Sequence, residues 1–405
     1  MKNIKILSPL LFLYIIVVCL ISDNNLTGDE PRYIMFANNL AHGFYSPKDD
    51  INLWNGPGYP IVLLPFIFLK LPLIAAKLTN AFFLFVATIY FYNTLSLYIH
   101  ERSAIIYSYL FGFYPPFFRN IHYVITEELV ILLVSGFLFH FCKFFQSKNI
   151  SIRQLAFASF YLCYLALTKI FFGFVISILL IIFLSLYALR RSINMKKTVL
   201  VYFIALCLCT PYLFYTYSLT GKIFYWGNVG GEALYWISTP YQDELGDWRP
   251  SENELQSANP SKNHEAFFEG LKTVSSIKKD DELKKKAIQN IYSYPKKYFS
   301  NWIANIGRIF FNYPYSYTPQ KISTFFYMVP NMFLMVLMVL CIYPSYLGRR
   351  LIPYEIYALL FFGFISLGGL SLISAFSRTL LPVVPIFSVW IIFSLTRLVK
   401  IEIHR

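Results

Sequence analysis

The feature that most constrains this chain is the alternation of long apolar runs with short basic clusters. A helix of about 20 apolar residues crosses the ~30 Å hydrocarbon core of a bilayer. Apolar runs fall at 6 to 22, 74 to 98, 103 to 118, 126 to 145, 154 to 168, 170 to 188, 198 to 218, 323 to 345, 353 to 372 and 379 to 396, about ten spans, some of them short and the third cut by Pro115-Pro116. The stretch 59 to 73 carries Pro60, Pro65, Lys70 and Pro72 and is expected along the interface. With 57% hydrophobic and 14% charged residues, the 405-residue chain has too little polar surface for a water-soluble fold. An all-α polytopic membrane protein follows.

The net charge of +14 would suit nucleic acid if it were spread over one polar surface. Instead it sits in the loops between apolar runs, which excludes nucleic acid as a partner and leaves membrane lipids. Lys2 and Lys5, Arg102, Lys143 with Lys148 and Arg153, Arg190-Arg191 with Lys196-Lys197, Arg349-Arg350, and Arg397 with Lys400 occupy alternate loops. Those loops are assigned to the cytoplasm, with both termini inside. The first run follows Lys2 and Lys5 without a small-residue cleavage site, so a retained anchor is expected. All six cysteines (Cys19, Cys142, Cys163, Cys207, Cys209 and Cys341) lie in apolar stretches and read as packing.

The carboxylates fall in the opposite set of loops: Asp23, Asp29, Glu30, Asp49, Asp50, Glu127, Glu128 and the acids of 219 to 321. Three regions result: 1 to 218 with a first external loop next to the membrane, an external cap at 219 to 321, and C-terminal spans at 322 to 405. The cap is short for a domain with its own core. Its stretch 278 to 291 has an acidic start and a basic continuation, suited to a solvated amphipathic helix.

Asp29 and Glu30 stand just after the first run, beside Arg32 and ahead of Asn-Gly-Pro-Gly-Tyr-Pro at 55 to 60. Acids there could simply start a helix. The same holds for Glu127 in Thr-Glu-Glu-Leu. Lys169 and Arg378 could be interfacial side chains snorkelling to headgroups, although ionisable groups between apolar segments are costly and often functional. Five of the six tryptophans (Trp54, Trp226, Trp236, Trp248 and Trp302) fall in external segments. The interfacial belt predicts the same enrichment, so none is given a substrate role.

The order Gly28-Asp29-Glu30-Pro31-Arg32-Tyr33, Gly56-Pro57-Gly58-Tyr59-Pro60, Tyr114-Pro115-Pro116, Thr126-Glu127-Glu128-Leu129, Leu167-Thr168-Lys169, Gly230-Gly231-Glu232-Ala233-Leu234-Tyr235 and Arg378-Thr379-Leu380-Leu381-Pro382 resembles the GT-C glycosyltransferases. The resemblance is to the branch that includes protein O-mannosyltransferases, lipid A aminoarabinose transferases and lipopolysaccharide-core transferases of the Rgt type, a family 39-like group, and it covers nearly the whole chain. It implies a GT-C bundle in the bacterial cytoplasmic membrane with an extracytoplasmic active site. The implied reaction takes a sugar from a polyprenyl-phosphate donor to a hydroxyl of a glycolipid, lipopolysaccharide or protein acceptor, with inversion.

That chemistry needs a carboxylate to accept the hydroxyl proton and fixed positive charge for a lipid phosphate that leaves as an anion. Asp29 is the candidate base, with Glu30 and Glu127 as companion catalytic acids. Arg32, Lys169 and Arg378 are the candidate phosphate contacts, and Tyr33, Tyr59 and His122 line the expected substrate pocket. No cofactor is required. Two carboxylate loci could still hold a divalent cation, Mg or Mn, with His122 as an added nitrogen ligand, although one histidine in an aromatic loop is more often structural. The metal question stays open.

Two departures from the family pattern matter. Pro211-Tyr212-Leu213-Phe214-Tyr215-Thr216 replaces a Pro-Trp followed by Arg-Asn, so a basic contact is missing there. Asn55-Gly56 replaces the Glu-Lys pair of the aminoarabinose transferases, which argues against that activity. Two other classes remain. A transporter or flippase of lipid-linked saccharides would place its charges near the bilayer midplane in broken helices, and a saccharide polymerase would use basic external loops.

Overall fold

The computed structural model describes residues 2–23, 25–147, 149–248, 262–316 and 320–399. Lys148 and Lys400 of the basic loops lie outside the described residues, as does the side chain of Lys2. Among the described residues there is no strand. The N-terminal half runs α1 (Lys2–Ile21), α2 (Glu30–Ala41), α3 (Gly58–Phe68), α4 (Leu73–Leu95), α5 (Glu101–Gly112), α6 (Pro115–Asn120), α7 (Glu127–Gln146), α8 (Ile152–Thr168), α9 (Phe171–Arg190) and α10 (Ile193–Thr220). It continues with α11 (Gly230–Ile237), α12 (Lys262–Glu269), α13 (Ser276–Ser293), α14 (Pro295–Phe311), α15 (Phe325–Leu347), α16 (Tyr354–Ser371), a 3-10 turn (Ser377–Val383) and α17 (Val384–Arg397).

Seven helices among the described residues are long and apolar enough to span a membrane, with α1, α3 and α8 as shorter apolar helices. Lipid tails are as apolar as leucine, so contact between spans is selected by close packing. α7 packs on α4 and α8, α8 and α9 pack on α10, and α1 lies along α4. In α7 and in the segment Ser377–Arg397, 78% of the apolar window is buried, against 22% around α15. These two segments form the centre of the bundle and α15 its rim.

The third run is cut where the prolines fall: α5 has 12 residues, about 18 Å at ~1.5 Å per residue, and Tyr114-Pro115-Pro116 ends it, because proline disfavours a helical conformation in the residue before it. The chain then continues through α6 and the turns at 121–126. One expectation is corrected, that every cysteine is packed inside: Cys142, Cys163, Cys209 and Cys341 are buried, but Cys19 and Cys207 are exposed.

The basic clusters mark one end of the bundle: the start of α1, the ends of α4, α7, α9, α15 and α17, and the starts of α5, α8 and α10. At the other end lie α2 and α3, the starts of α7 and α9, and α11 to α14. Tyr235, Trp236, Phe268, Leu271, Leu283 and Ala287 give α11 to α13 a small core of their own. α13 is not solvated all round, because Asp280, Leu283, Ala287 and Asn290 recur at helical spacing and are buried. Asp280 accepts the Gly231 amide proton at 2.7 Å. A Cβ on Gly231 would sit 2.1 Å from the Asp280 carbonyl oxygen, so only glycine permits this approach.

Candidate active site

Asp29, Glu127 and Lys169 stand at helix ends that favour their sign, whereas Arg32, in the first turn of α2, and Arg378, at the start of the 3-10 turn, do not. Asp29 is the N-cap of α2, Glu127 the first residue of α7, and Lys169 the residue that closes α8. Capping alone could account for such residues, so what each side chain actually bonds decides between the two explanations. Asp29 makes no capping bond to its own helix. One carboxylate oxygen takes the Arg32 guanidinium at 2.5 Å, and the other takes Arg378. Glu127 accepts from Lys169 at 2.9 Å and lies 3.6 Å from Arg378 Nε. Arg378 therefore bridges two carboxylates that are 98 positions apart in sequence.

The five groups form a line in the order Arg32, Asp29, Arg378, Glu127, Lys169. Three cations face two carboxylates, so the ion-paired set carries a net charge of +1. Glu127 is 2% exposed, whereas Asp29, Lys169 and Arg378 keep 23%, 24% and 30% of their side-chain surface. The line is rooted in protein and open along one side. Burial alone would raise the Asp29 pKa, but Arg378 first, then Arg32 and Lys169, outweigh it and hold the carboxyl below its usual range.

Local packing explains why the parts meet. α3 begins at Gly58, where a Cβ would lie 2.4 Å from Thr168 Oγ1 and 2.8 Å from the Thr168 nitrogen. The turn before α3 is thereby pressed onto the end of α8, next to Lys169. Asn55, in the same turn, accepts from Arg32 Nε at 2.7 Å and donates to the Tyr33 hydroxyl at 3.0 Å. On the far side, Asn305 of α14 donates to the carbonyls of Ser371 and Ile373 and accepts the Ala375 amide at 3.0 Å. Ser374 donates to the Ala233 carbonyl at 3.0 Å. The strand-like segment before Arg378 is thus fixed by α11 and α14.

The sequence grouped nine residues here, and five of them share the line. Glu30 lies apart from it. One carboxylate oxygen accepts the Thr27 amide at 2.8 Å, and the other accepts the Val124 amide at 2.7 Å. Lys77 Nζ lies 3.7 Å away, with both side chains almost fully buried. Glu30 ties the start of α2 to α4 and to the loop before α7. Tyr33 and Tyr59 meet edge to face at 5.2 Å, 4% and 0% exposed. They form a wall behind the line and not an open pocket. His122 stacks near Tyr123 at 4.0 Å and is associated with Lys77, Arg119 and Glu30, where burial first and the two cations next lower its pKa.

Asn55, Lys77 and Trp54 were missed as site-forming residues. Lys77 had a signal, since a lone cation inside the apolar α4 requires a partner. Both carboxylates face basic partners, and among the described residues no group of three His, Cys, Asp or Glu side chains gathers.

No family model and no curated protein matches the chain. Solved structures do. The oligosaccharyltransferase of Archaeoglobus fulgidus in its apo form superposes with a TM-score of 0.56 at 14% identity, over 97% of this chain and 50% of the other. An archaeal oligosaccharyltransferase from the same organism, in complex with an inhibitory peptide and a dolichol-phosphate, gives 0.51 at 12% identity over 96% and 50%. This chain spans about half the length of those proteins. At such identity the likeness is one of fold: the chain has the GT-C fold and is an integral membrane protein.

Proposed function

We propose that this chain is an inverting glycosyltransferase that moves a hexosyl or pentosyl group from a polyprenyl-phosphate donor to an acceptor hydroxyl at the extracytoplasmic face of a bacterial cytoplasmic membrane. The acceptor is a cell-surface glycolipid, lipopolysaccharide or protein. The observation that carries this reading is the bridge from Asp29 through Arg378 to Glu127 and Lys169. A carboxylate suited to accept a proton and a cation suited to meet phosphate stand side by side there, which supports the reading.

Asp29 accepts the acceptor proton as the new oxygen–carbon bond forms, and the anomeric carbon–phosphate oxygen bond breaks in line with it. The electron pair stays on the lipid phosphate, facing Arg378 and Lys169. Charge supports a monophosphate donor. A phosphodiester brings one negative charge to a set carrying +1. On transfer the leaving monoester approaches two negative charges as Asp29 takes up a proton, so the ensemble stays close to neutral throughout. A diphosphate would bring an excess. The dolichol-phosphate bound to the archaeal enzyme of like fold supports a lipid phosphate as ligand.

The test is Asp29→Asn in proteoliposomes supplied with polyprenyl-phosphate sugar. Loss of a general base costs roughly 10²- to 10⁴-fold, so transfer should fall to background while the protein keeps its thermal transition. Undiminished turnover removes Asp29 as base.

A further inference from the structure

The ion-paired line has an aromatic end. Arg32, which holds Asp29, lies with its guanidinium carbon 5.0 Å from the centre of the Trp54 ring. Trp54 in turn meets Trp248 with ring centres 5.9 Å apart and planes at 85°. Both tryptophans are half-buried, unlike Trp226 and Trp236, which are 1% and 2% exposed in cores. Trp54 comes from the turn before α3, and Trp248 from the segment between α11 and α12, packed against the small core there. Beside the rings stand the hydrogen-bonding side chains of Arg32 and Asn55.

Resting on the transferase reading above, we infer that Trp54 and Trp248 form the acceptor subsite, and that the acceptor bears a saccharide whose ring rests against them. Inversion requires the attacking hydroxyl and the leaving phosphate to lie on opposite sides of the anomeric carbon. With phosphate at the Arg378 and Lys169 end and Asp29 between Arg378 and Arg32, the acceptor enters from the Arg32 end, where the two tryptophans stand. Two rings at right angles, flanked by an amide and a guanidinium, match a sugar: its C–H faces pack on aromatic surface, and its hydroxyls bond the polar groups. A plain lipid alcohol lacks the ring of C–H groups, and a peptide lacks the dense set of hydroxyls around one.

The probe is the oligosaccharide released by mild acid from the envelope glycolipid of a strain lacking this protein. Titrated into the full-length protein in detergent, it should change tryptophan emission saturably. Trp54→Ala and Trp248→Ala should each weaken that binding roughly tenfold or more, the scale for truncating an aromatic anchor, while Trp54→Tyr keeps part of it. In transfer assays the same variants should raise the KM for acceptor and leave that for donor unchanged. Equal affinity in wild type and variants, an effect on donor KM instead, or an oligosaccharide that does not bind the wild-type protein overturns the assignment. If the wild-type protein transfers sugar but Trp54→Ala is unaffected, only the subsite fails. If no lipid-linked sugar is transferred at all, the transferase reading fails, and the emission titration still decides the binding claim.

Discussion

Replacing Arg378 with alanine removes the one side chain that touches both carboxylates of the line. Its effect on folding should be small. Arg378 and Asp29 keep 30% and 23% of their side-chain surface, and Asp29 retains Arg32 at 2.5 Å when Arg378 is lost. The deeply buried Glu127 keeps Lys169 at 2.9 Å and is not left without a cation. Catalysis should suffer far more. A cation aimed at charge that develops only in the transition state is worth roughly 10²- to 10³-fold in rate, about 3–4 kcal/mol. The assay is transfer from a labelled polyprenyl-phosphate sugar in proteoliposomes across donor concentration and pH. The sign of the pH effect follows from Asp29, whose pKa lies below its usual range because Arg378, Arg32 and Lys169 outweigh burial. A depressed carboxylate gives stability that is present above its unfolded value and lost as pH falls through the folded one. In the wild type the acid limb of activity should therefore lie below the ordinary aspartate range. In Arg378→Ala it should move upward, because the largest opposing charge is gone while burial remains. Arg378→Lys should recover charge but not the fork that spans two carboxylates, and so fall between. An unchanged donor dependence with an unshifted acid limb would refute the reasoning.

Two structural predictions separate scaffold from chemistry. Glu30→Ala leaves Lys77, 2% exposed, without its carboxylate partner. Loss of one member of a buried pair costs about 3–5 kcal/mol, so the melting temperature in detergent should drop sharply, whereas Glu30→Gln with Lys77→Met should recover much of it; an unchanged melting temperature in Glu30→Ala would contradict the tether. Gly58→Ala would place a methyl 2.4 Å from Thr168 Oγ1. It should force α3 away from α8 and reduce both stability and transfer, and wild-type values for both would show that the contact does not set the site.

Much of the site was legible because charge is scarce in an apolar chain. Asp29, Glu127, Lys169 and Arg378 each stand where an apolar run begins or ends, and cost alone marks them out. Direction was not legible. Asp29 and Glu30 are neighbours at the start of one helix, where successive side chains point about 100° apart, so one faces the line and the other the interior. The Glu30 carboxylate turns back to accept the Thr27 amide at 2.8 Å. Tyr59 was legible as near the site but not as fully buried, because aromatic residues suit a pocket lining and a packed wall equally. The small core beneath Trp236 and Phe268 was hidden by its length, being assembled from helices too short to bury a face singly.

The resting arrangement also bears on how a reactive donor avoids wasteful attack by water. Arg378 is engaged by Asp29 and Glu127, and the Asp29 carboxyl is held below its ordinary pKa. In the proposed reaction an arriving phosphodiester competes for Arg378 and Lys169. As those cations turn toward phosphate, Asp29 loses part of what depressed it and becomes a stronger proton acceptor. Base strength is then coupled to donor occupancy through one shared side chain. Arg32 stays on the other oxygen of Asp29, fixed by Asn55, so the carboxylate keeps its orientation while its basicity changes. The final condition is that the acceptor hydroxyl, and not water, reaches that oxygen. An open flank would admit either, which makes a fitted saccharide against Trp54 and Trp248 the natural means of closing it.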